Sequence, residues 1–280
     1  LYKYIYKYRD NYDVVLCHMS PLYVIAGYPV WKLLNKRIVL WYVHRSVDLK
    51  LKIANILIDK VLTATKESYQ VKNDNVHYRG QAVNVEHFSN KIGERKPDGY
   101  FNIITVGRIT PIKRLDILVE AISILDKQNV PVKLFIAGAP TVQTDLEYET
   151  KIQKKIKELN LDEKIIFLGP VPYIDIPKHY WNSDVCVNLA PTGGLDKTGL
   201  EAMMAGIPLI TSNTAFEANF GQFSKDLIVK DSDPQDTALK LFNMYNSKKY
   251  TFIGFTLRKE VIKRSSLDNL IANIVKELYI

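Results

Sequence analysis

The stretch "FNIITVGRITPIKRLDILVEAISILDKQ", residues 101–128, changes its hydrophobic pattern part-way along. Its first seven residues are mostly apolar, which is typical of a strand buried on both faces of a parallel sheet. From residue 114 onwards the apolar side chains recur at helical spacing. They would share one face of a helix: Leu115, Leu118, Val119, Ile122 and Leu125. The stretch therefore predicts a strand joined directly to a helix, the unit from which parallel sheets are built.

The same alternation recurs through most of the chain. Further apolar runs predict strands at 12–18, 37–44, 60–65, 132–138, 164–169, 184–190, 208–211 and 226–229. A second long helix is predicted at 145–160. The opening residues "LYKYIYKYRD" fit a strand or a helix, and their place before a strand in an alternating fold favours the helix. We therefore expect an α/β fold with parallel sheets covered by helices on both faces.

The composition narrows the class of protein. The 280 residues are 47% hydrophobic and 24% charged, as in soluble globular proteins. No apolar run reaches the ~20 residues that span a bilayer. The two cysteines, Cys17 and Cys186, lie inside apolar strand-like runs, a usage typical of a reducing compartment. We therefore expect a cytoplasmic protein.

The net charge of +8 is concentrated in the first part of the chain. Residues 1–100 hold 16 basic and 9 acidic side chains (+7), whereas the rest hold 22 and 21 (+1). Such a bias fits an anionic partner, either a phosphate-bearing acceptor or an acidic surface at the inner face of the membrane; it also fits an ordinary solubilising surface. There is no zinc-type Cys/His spacing and no RNA-binding aromatic signature, so nucleic acid is not an expected partner.

A polar segment at 89–100, "SNKIGERKPDGY", predicts a linker because it carries Gly and Pro and lacks apolar periodicity. Three or four predicted strands precede it and six follow it. We therefore expect the first half to be a domain cut short at its N-terminus, where the chain begins with Leu1. The final segment has helical period with no strand after it, so it must pack on a part of the fold already built.

Two cations follow the strand predicted at 101–107. Arg108 comes directly after Gly107, and Lys113 lies at the mouth of the next helix. Ligands of open parallel sheets bind beyond the carboxyl ends of the strands. Two cations at that edge, with helix amides pointing the same way, suit a diphosphate. The alternative is two solvated charges in a loop.

A second candidate site lies in the later stretch "PTGGLDKTGLEAMMAGIPLITSN", which contains a helix predicted at 198–206. Gly199 would let a ligand approach the first N–H groups of that helix, and Lys197 favours an anion there. Glu201, one turn in, could accept hydrogen bonds from sugar hydroxyls or could simply be a helix-dipole carboxylate. Asp196 could be a helix cap.

Two motifs, "VGRITPIKRLDILVEAISIL" and "GGLDKTGLEAMMAGIPLITSN", resemble the paired donor-site signatures of family 4 retaining glycosyltransferases (glycosyl transferases group 1). The resemblance implies the GT-B fold, in which two Rossmann-like parallel-sheet domains face a cleft. It implies that residues 1–99 are the later part of the acceptor-side domain, that 100–262 form the nucleotide-sugar domain, and that 263–280 form a helix packing back on the first domain.

The resemblance also implies roles for residues on the donor side. Arg108 and Lys113 would neutralise the donor diphosphate, and Arg114 would add one more cation. Glu201 would bind the ribose, and Val171 of the "GPV" loop would lie by the base. The start of the second helix would bring backbone amides to the phosphates: Lys197, Thr198, Gly199 and Leu200.

In the first domain, His44, which ends "WYVH", matches a histidine that faces the donor sugar in such enzymes, so it is the candidate catalytic residue. His18 ends the preceding strand in a similar place; for both, the alternative is a structural role at a strand end. One position departs from the family pattern, since Gly193 stands where many relatives carry a second glutamate near the sugar. A subset with "LDK" before the helix also lacks it, and there Asp196 and Lys197 would take over polar contacts.

The implied activity is transfer of a sugar, with retention of its anomeric configuration, from a UDP- or GDP-linked donor to an acceptor hydroxyl. The acceptor would be a glycan or a lipid-linked molecule, as in polysaccharide or glycolipid synthesis, and neither a cofactor nor a metal is implied. Two alternatives stay open. One is a nucleotide-binding module or inactive fragment; the other is a GT-B sugar-nucleotide epimerase, which would need cleft carboxylates that Gly193 does not supply.

Overall fold

The computed structural model describes residues 1–44, 46–89, 98–191 and 194–279. The chain divides into two compact units. Unit 1 comprises Leu1–Gln81, Gly193–Leu195 and Leu267–Ile280, and unit 2 comprises Ala82–Thr192 and Asp196–Ser266. In the described residues, no helix combines the length and the hydropathy that a bilayer crossing requires.

Unit 1 is built on a four-stranded sheet in which every strand pair is parallel. In spatial order its strands are β1 (Val14–His18), β2 (Arg37–Trp41), β3 (Lys60–Thr63) and β4 (Val76–Tyr78). Its helices are α1 (Tyr2–Lys7), α2 (Pro21–Leu33), α3 (Leu49–Leu57) and α12 (Leu267–Tyr279). Three of these strands and the opening helix are confirmed as predicted. The short β4 was not predicted, because three residues with a central histidine show no apolar pattern.

Helices cover both faces of the unit 1 sheet. Alternate residues of a strand point to opposite faces, and in β2 Leu40 packs in the core formed with α1, α2 and α3. Its neighbours Val39 and Trp41 pack on the other face against apolar side chains of α12. These are Leu270, Ile274 and Leu278. The final helix therefore supplies the second layer of unit 1, although it follows the whole of unit 2 in the chain.

A charged cluster holds the end of α12 on the sheet. The Glu277 carboxylate accepts a hydrogen bond from the Lys60 ammonium (2.8 Å) and pairs with Arg79 and with His77 Nδ1 (3.2 Å). Lys60 is buried at the start of β3, and its ammonium also donates to the Glu277 carbonyl (3.0 Å). The hydrogen bond from Lys60, with the contributions of Arg79 and His77, lowers the pKa of Glu277 to about 2 despite the opposing effect of burial.

We expect Glu277→Gln to destabilise unit 1 by about 3 kcal/mol near neutral pH, because it leaves the buried Lys60 ammonium without its counter-ion. The folded-state pKa of Glu277 lies below its ordinary value of 4.5, so its contribution is present above that value and is lost as the pH falls towards 2. Hydrogen exchange of the α12 amides from pH 6 to pH 2 measures both effects. Glu67→Gln, at an exposed site in the same unit, is the control. Equal α12 protection in both variants would contradict the expectation.

Unit 2 is built on a five-stranded, all-parallel sheet of order β7-β6-β5-β8-β9. The strands are β5 (Phe101–Val106), β6 (Val132–Ala137), β7 (Ile165–Gly169), β8 (Val185–Asn188) and β9 (Leu209–Thr211). The longer helices are α4 (Leu115–Lys127), α5 (Gln143–Glu158), α7 (Lys197–Met204), α10 (Pro234–Ser247) and α11 (Tyr250–Ser265). The shorter ones are α6 (Ile176–Trp181), α8 (Glu217–Phe220) and α9 (Ser224–Leu227).

The strand predicted at 226–229 is wrong. The α9 turn occupies the first part of that run, and Ile228 makes a single bridge to Thr211 of β9. Four apolar residues do not distinguish a strand from a buried helical turn, and Leu227 is fully buried in the turn. The other five predicted strands and both predicted long helices of unit 2 are confirmed within a few residues.

The units divide at other places than the predicted boundaries at 99/100 and 262/263. Residues from Ala82 onwards belong to unit 2 because they contact it: the Val83 N–H donates to the Ser265 carbonyl (3.0 Å). The Phe88 ring lies 6.2 Å from those of Tyr173 and Tyr180. Most of the predicted linker, residues 90–97, lies outside the described residues.

The sheet order of unit 2 places its central strand at a topological switch point. β5 pairs with β6 on one side and with β8 on the other. The connections leaving β5 and β8 therefore diverge beyond their carboxyl ends, which is where parallel sheets bind ligands. Both sequence motifs follow these two strands.

Candidate functional site

The loop after β5 is shaped by two glycines. Gly107 has φ +136°, and Gly138, with φ +149°, packs so closely that a Cβ there would lie 1.9 Å from the Gly107 carbonyl oxygen. L-residues with side chains rarely adopt such angles, so glycine is needed for this close approach of the backbones after β5 and β6. The stem of Lys113 folds back over Gly107, whose Cβ position lies 3.1 Å from the Lys113 Cε.

Lys113 and Asp196 form an ion pair across the carboxyl ends of β5 and β8. The ammonium Nζ lies 2.8 Å from the Asp196 Oδ2, and both side chains are mostly shielded from water. Asp196 also caps α7, since its Oδ1 accepts from the Thr198 N–H (3.0 Å) and the Thr198 hydroxyl (2.8 Å). Burial raises the pKa of Asp196, but Lys113 and the hydrogen bonds outweigh it and the net pKa is lowered. The carboxylate is thus charged near neutral pH.

Two residues that the motifs did not single out complete this network. The Asn188 amide donates to the Thr198 hydroxyl (3.1 Å) from the last position of β8. The Tyr180 hydroxyl donates to the Thr198 carbonyl (3.0 Å). An asparagine closing an otherwise apolar strand, in "DVCVNLA", was the signal in the sequence that pointed to a polar site. The network fixes the start of α7 relative to the sheet.

The other two predicted phosphate cations pair elsewhere within unit 2. Arg108 is exposed, and its Nε lies 3.6 Å from an oxygen of the buried Asp145, close to the start of α5. Arg114 has a left-handed backbone with φ +51°, and its guanidinium lies 4.0 Å from Asp231. Each of the three cations expected at the phosphates therefore has its own carboxylate.

Glu201 lies buried in the first part of α7. Burial, with the charge of Asp196 added and that of Lys197 opposing, raises the pKa of Glu201 to about 7. Its carboxyl group therefore exists in both protonation states near neutral pH. Glu201 in turn helps raise the pKa of Tyr173, after burial as the larger cause. Tyr173 follows the "GPV" loop, in which Val171 is half-buried.

The structure corrects the expected reason for Gly199. A Cβ there would lie 2.7 Å from both the Leu209 Cδ2 and the Phe216 Cζ, so the missing side chain lets α7 pack on β9 and on Phe216 rather than admitting a ligand. Leu200 is fully buried beside it, and Lys197 is exposed at the helix start.

The two histidines belong to unit 1, His18 at the end of β1 and His44 three residues after β2. His44 is exposed, and its Nδ1 accepts from the Ser46 N–H (3.1 Å) and lies 2.7 Å from the Ser46 hydroxyl. A neutral ring in that arrangement carries its proton on Nε2. His18, also exposed, ends β1. Gly193 lies outside the described residues, and a Cβ on its neighbour Gly194 would lie 2.9 Å from the Ser68 hydroxyl oxygen.

No three His, Cys, Asp or Glu side chains come together as a metal site in the part of the chain that the structure describes. What the described site of unit 2 offers instead is fixed charge and hydrogen bonding. Lysine, helix amides and a titrating glutamate lie at the carboxyl edge of one sheet, a combination that suits a phosphorylated ligand bearing hydroxyl groups.

Comparison with known proteins identifies the family. Residues 87–264, more than half of the chain, match the family described as glycosyl transferases group 1. The chain belongs to this family. Mannosylfructose-phosphate synthase of Agrobacterium fabrum is 22% identical over 179 residues, which cover 61% of this chain and 38% of that protein.

Two further similar proteins extend the comparison. The GDP-mannose-dependent alpha-(1-6)-phosphatidylinositol monomannoside mannosyltransferase of Mycobacterium tuberculosis is 26% identical over 154 residues, covering 52% of this chain and 37% of that protein. The matched stretches thus span less than two fifths of either curated relative. The structure of Anabaena HepE with UDP and glucose has a TM-score of 0.81 at 14% identity, covering 99% of this chain and 80% of that one. This likeness confirms the expected α/β fold class, with two parallel sheets of the GT-B type.

We expect Gly199→Ala to lower the stability of unit 2 by about 1–3 kcal/mol, because the added methyl group would collide with Leu209 and Phe216. At an unconstrained helical position the same change stabilises the folded state by roughly 0.5–1 kcal/mol. The sign of the effect therefore shows whether α7 is packed against Leu209 and Phe216. Thermal unfolding measures it, with Lys197→Ala at the exposed neighbouring position as the control. An unchanged or raised melting temperature would show that α7 is not packed as described.

Proposed function

We propose that this group 1 glycosyltransferase binds a nucleotide diphosphate sugar in unit 2 and transfers the sugar to an acceptor hydroxyl. The observation that carries the proposal is the convergence of Lys113 and the amino end of α7 at the switch point of the unit 2 sheet. Helix amides and a lysine ammonium both stabilise phosphate oxygens. The relatives named above include an enzyme described as GDP-mannose-dependent and a structure containing UDP, which supports a UDP- or GDP-linked donor.

The chemistry is charge stabilisation on the leaving group. As the bond between the sugar and the diphosphate breaks, negative charge builds on the diphosphate while the sugar becomes oxocarbenium-like. A well-placed fixed donor stabilises such charge by roughly 3–4 kcal/mol. Lys113, Arg108 and the amides of residues 197–199 would supply these donors, and we propose that the reaction uses neither a metal nor a cofactor. The Leu200 N–H, also expected at the phosphates, instead donates to the Asp196 carbonyl (3.2 Å).

The ribose and the base would be held next to the phosphates. Glu201, in the first part of α7, would accept hydrogen bonds from the ribose hydroxyls when ionised, and Val171 would lie by the base. Because the pKa of Glu201 is about 7, its ionised fraction rises as the pH rises through neutrality. Ribose binding by the carboxylate would therefore strengthen over the same range.

We further propose that the transferred hexose keeps its anomeric configuration. None of the described residues around Lys113 and Asp196 is an evident enzymic nucleophile, which favours attack of the acceptor on the face that the diphosphate leaves. His44 would serve the transferred sugar, with Nδ1 held by Ser46 and the ring proton on Nε2. A glycan or a lipid-linked acceptor would place the reaction in polysaccharide or glycolipid synthesis.

The test is nucleotide binding and turnover by single variants. In Lys113→Ala we expect UDP or GDP to bind about tenfold more weakly and donor consumption to fall about hundredfold, because the leaving diphosphate loses a fixed cation. Arg108→Ala should act in the same direction. Lys127→Ala is the control, since Lys127 ends α4 about 18 Å along the helix from its start near Lys113.

Calorimetry with UDP and GDP, followed by a donor-hydrolysis assay, measures these effects. Wild-type binding and turnover in both Lys113→Ala and Arg108→Ala would contradict the phosphate assignment. Nucleotide binding with no turnover would instead favour a binding module, and interconversion of the sugar nucleotide without transfer would favour an epimerase.

We also propose peripheral contact with an anionic membrane through α3 of unit 1. Three apolar side chains one turn apart point outwards on this helix: Leu49 is 72% exposed, Ile53 39% and Ile56 82%. The exposed Lys50 and Lys52 flank this stripe, and none of the nine residues of α3 is acidic. An apolar stripe bordered by lysines suits the interface of an anionic bilayer.

Sedimentation with lipid vesicles tests this contact. We expect binding to phosphatidylglycerol vesicles to fall about tenfold or more in Lys50→Gln/Lys52→Gln, because each lysine contributes about 1 kcal/mol near a charged surface. Ile53→Ser/Ile56→Ser should weaken it too, and Leu239→Ser, at an exposed site in unit 2, should not. Equal binding to neutral phosphatidylcholine vesicles, or no effect of 0.5 M salt, would remove the proposal.

A further inference from the structure

The Asp196 carboxylate accepts hydrogen bonds from both groups that we propose to hold a donor phosphate. One oxygen accepts from the Lys113 ammonium at 2.8 Å, and the other accepts from the Thr198 N–H at the start of α7, at 3.0 Å. The side chains of Lys113 and Asp196 are 16% and 19% exposed, so water screens the pair only weakly. A carboxylate placed between a lysine and a helix amino end has the charge and the acceptor oxygens of a phosphate.

We infer that Asp196 competes with the donor diphosphate for Lys113 and for the Thr198 amide, and thereby sets the affinity for the nucleotide. The inference rests on the proposed function, because it concerns the same site. It gives Asp196 a role different from the polar contacts with the sugar that the family resemblance implies.

Helix capping alone does not account for the whole arrangement. A cap needs a single acceptor oxygen, and serine or asparagine serves as well as aspartate. Here the Oδ1 of Asp196 is already held by the Thr198 amide and hydroxyl, while Asn188 orients that hydroxyl. The second oxygen is directed at Lys113, where its charge opposes any incoming anion.

The competition has a consequence for turnover. After transfer, the nucleoside diphosphate product carries the same phosphates as the donor, so a site of unopposed cations would retain it. Tight binding of the product would make its release the slow step of each turnover. With Asp196 as a resident anion, Lys113 returns to its internal partner as the product leaves.

The test is the affinity of Asp196→Asn for UDP and GDP, measured by calorimetry. Asparagine keeps the shape and the helix cap but removes the charge, so we expect both nucleotides to bind about tenfold more tightly, as the loss of one partly screened repulsion predicts. Asp231→Asn is the matched control. It removes a carboxylate beside Arg114, another predicted phosphate cation, and should change the affinity less than twofold.

A double variant adds a second readout. If Asp196 pairs with Lys113 in competition with the phosphates, Lys113 is fully available to them only in the Asp196→Asn background. Lys113→Ala should therefore cost more nucleotide affinity in that background than in the wild type. Melting temperatures establish that the variants fold. Asp196→Ser, which also keeps a capping oxygen without a charge, replaces Asp196→Asn if the latter unfolds.

The outcomes separate the inference from the proposed function. If Lys113→Ala weakens nucleotide binding while Asp196→Asn leaves it unchanged, Asp196 is only a helix cap and the inference is wrong. Weaker binding by Asp196→Asn also overturns it, since Asp196 would then support Lys113 rather than compete for it. If the wild-type protein binds neither UDP nor GDP, the proposed function fails first and the inference fails with it.

Discussion

The close contact between Gly138 and the Gly107 carbonyl is the constraint on which the candidate site depends. It sets the direction in which the chain leaves the central strand of unit 2 and brings the stem of Lys113 back over Gly107. The lysine then reaches the carboxylate that begins α7, so the connections after β5 and β8 are tied together. The same helix carries Glu201, whose pKa responds to the nearby charge of Asp196. Small changes in this close contact would therefore act on Lys113, Asp196 and Glu201 together.

Much of the fold follows from hydrophobic periodicity in the sequence. Every side chain of a strand such as β5 is buried. A mostly apolar run therefore predicts such a strand, whatever the details of its packing. Short or half-polar elements show no such apolar run and cannot be predicted in this way. The strand at Val76–Tyr78 contains a histidine, and the apolar run ending at Val229 is partly a helical turn. In both cases the neighbouring chain, rather than the local pattern, decides the structure.

The candidate site was predictable in position but not in its pairings. That Arg108 and Lys113 follow β5, and that Asp196 begins α7, could be predicted from their places after apolar strands. The sequence could not show that Lys113 meets Asp196 or that Arg108 meets Asp145, since each pair joins residues distant in the chain. Gly199 shows the same limit. Its spacing suggests room for a ligand, whereas Leu209 and Phe216, which the local pattern does not place beside it, occupy the space that a side chain would fill.

The position of α12 bears on how the protein is made. Unit 1 ends its first segment at Gln81, and its last helix begins only at Leu267, after all of unit 2. On the ribosome, one side of the first sheet, with Val39, Trp41 and Leu62, therefore emerges long before the helix that will cover it. Unit 2, in contrast, has nearly all of its residues in continuous order and can complete its own core first. Nascent chains of this protein thus carry an uncovered apolar surface until α12 has been synthesised, and that surface is where chaperone binding or misassembly would begin.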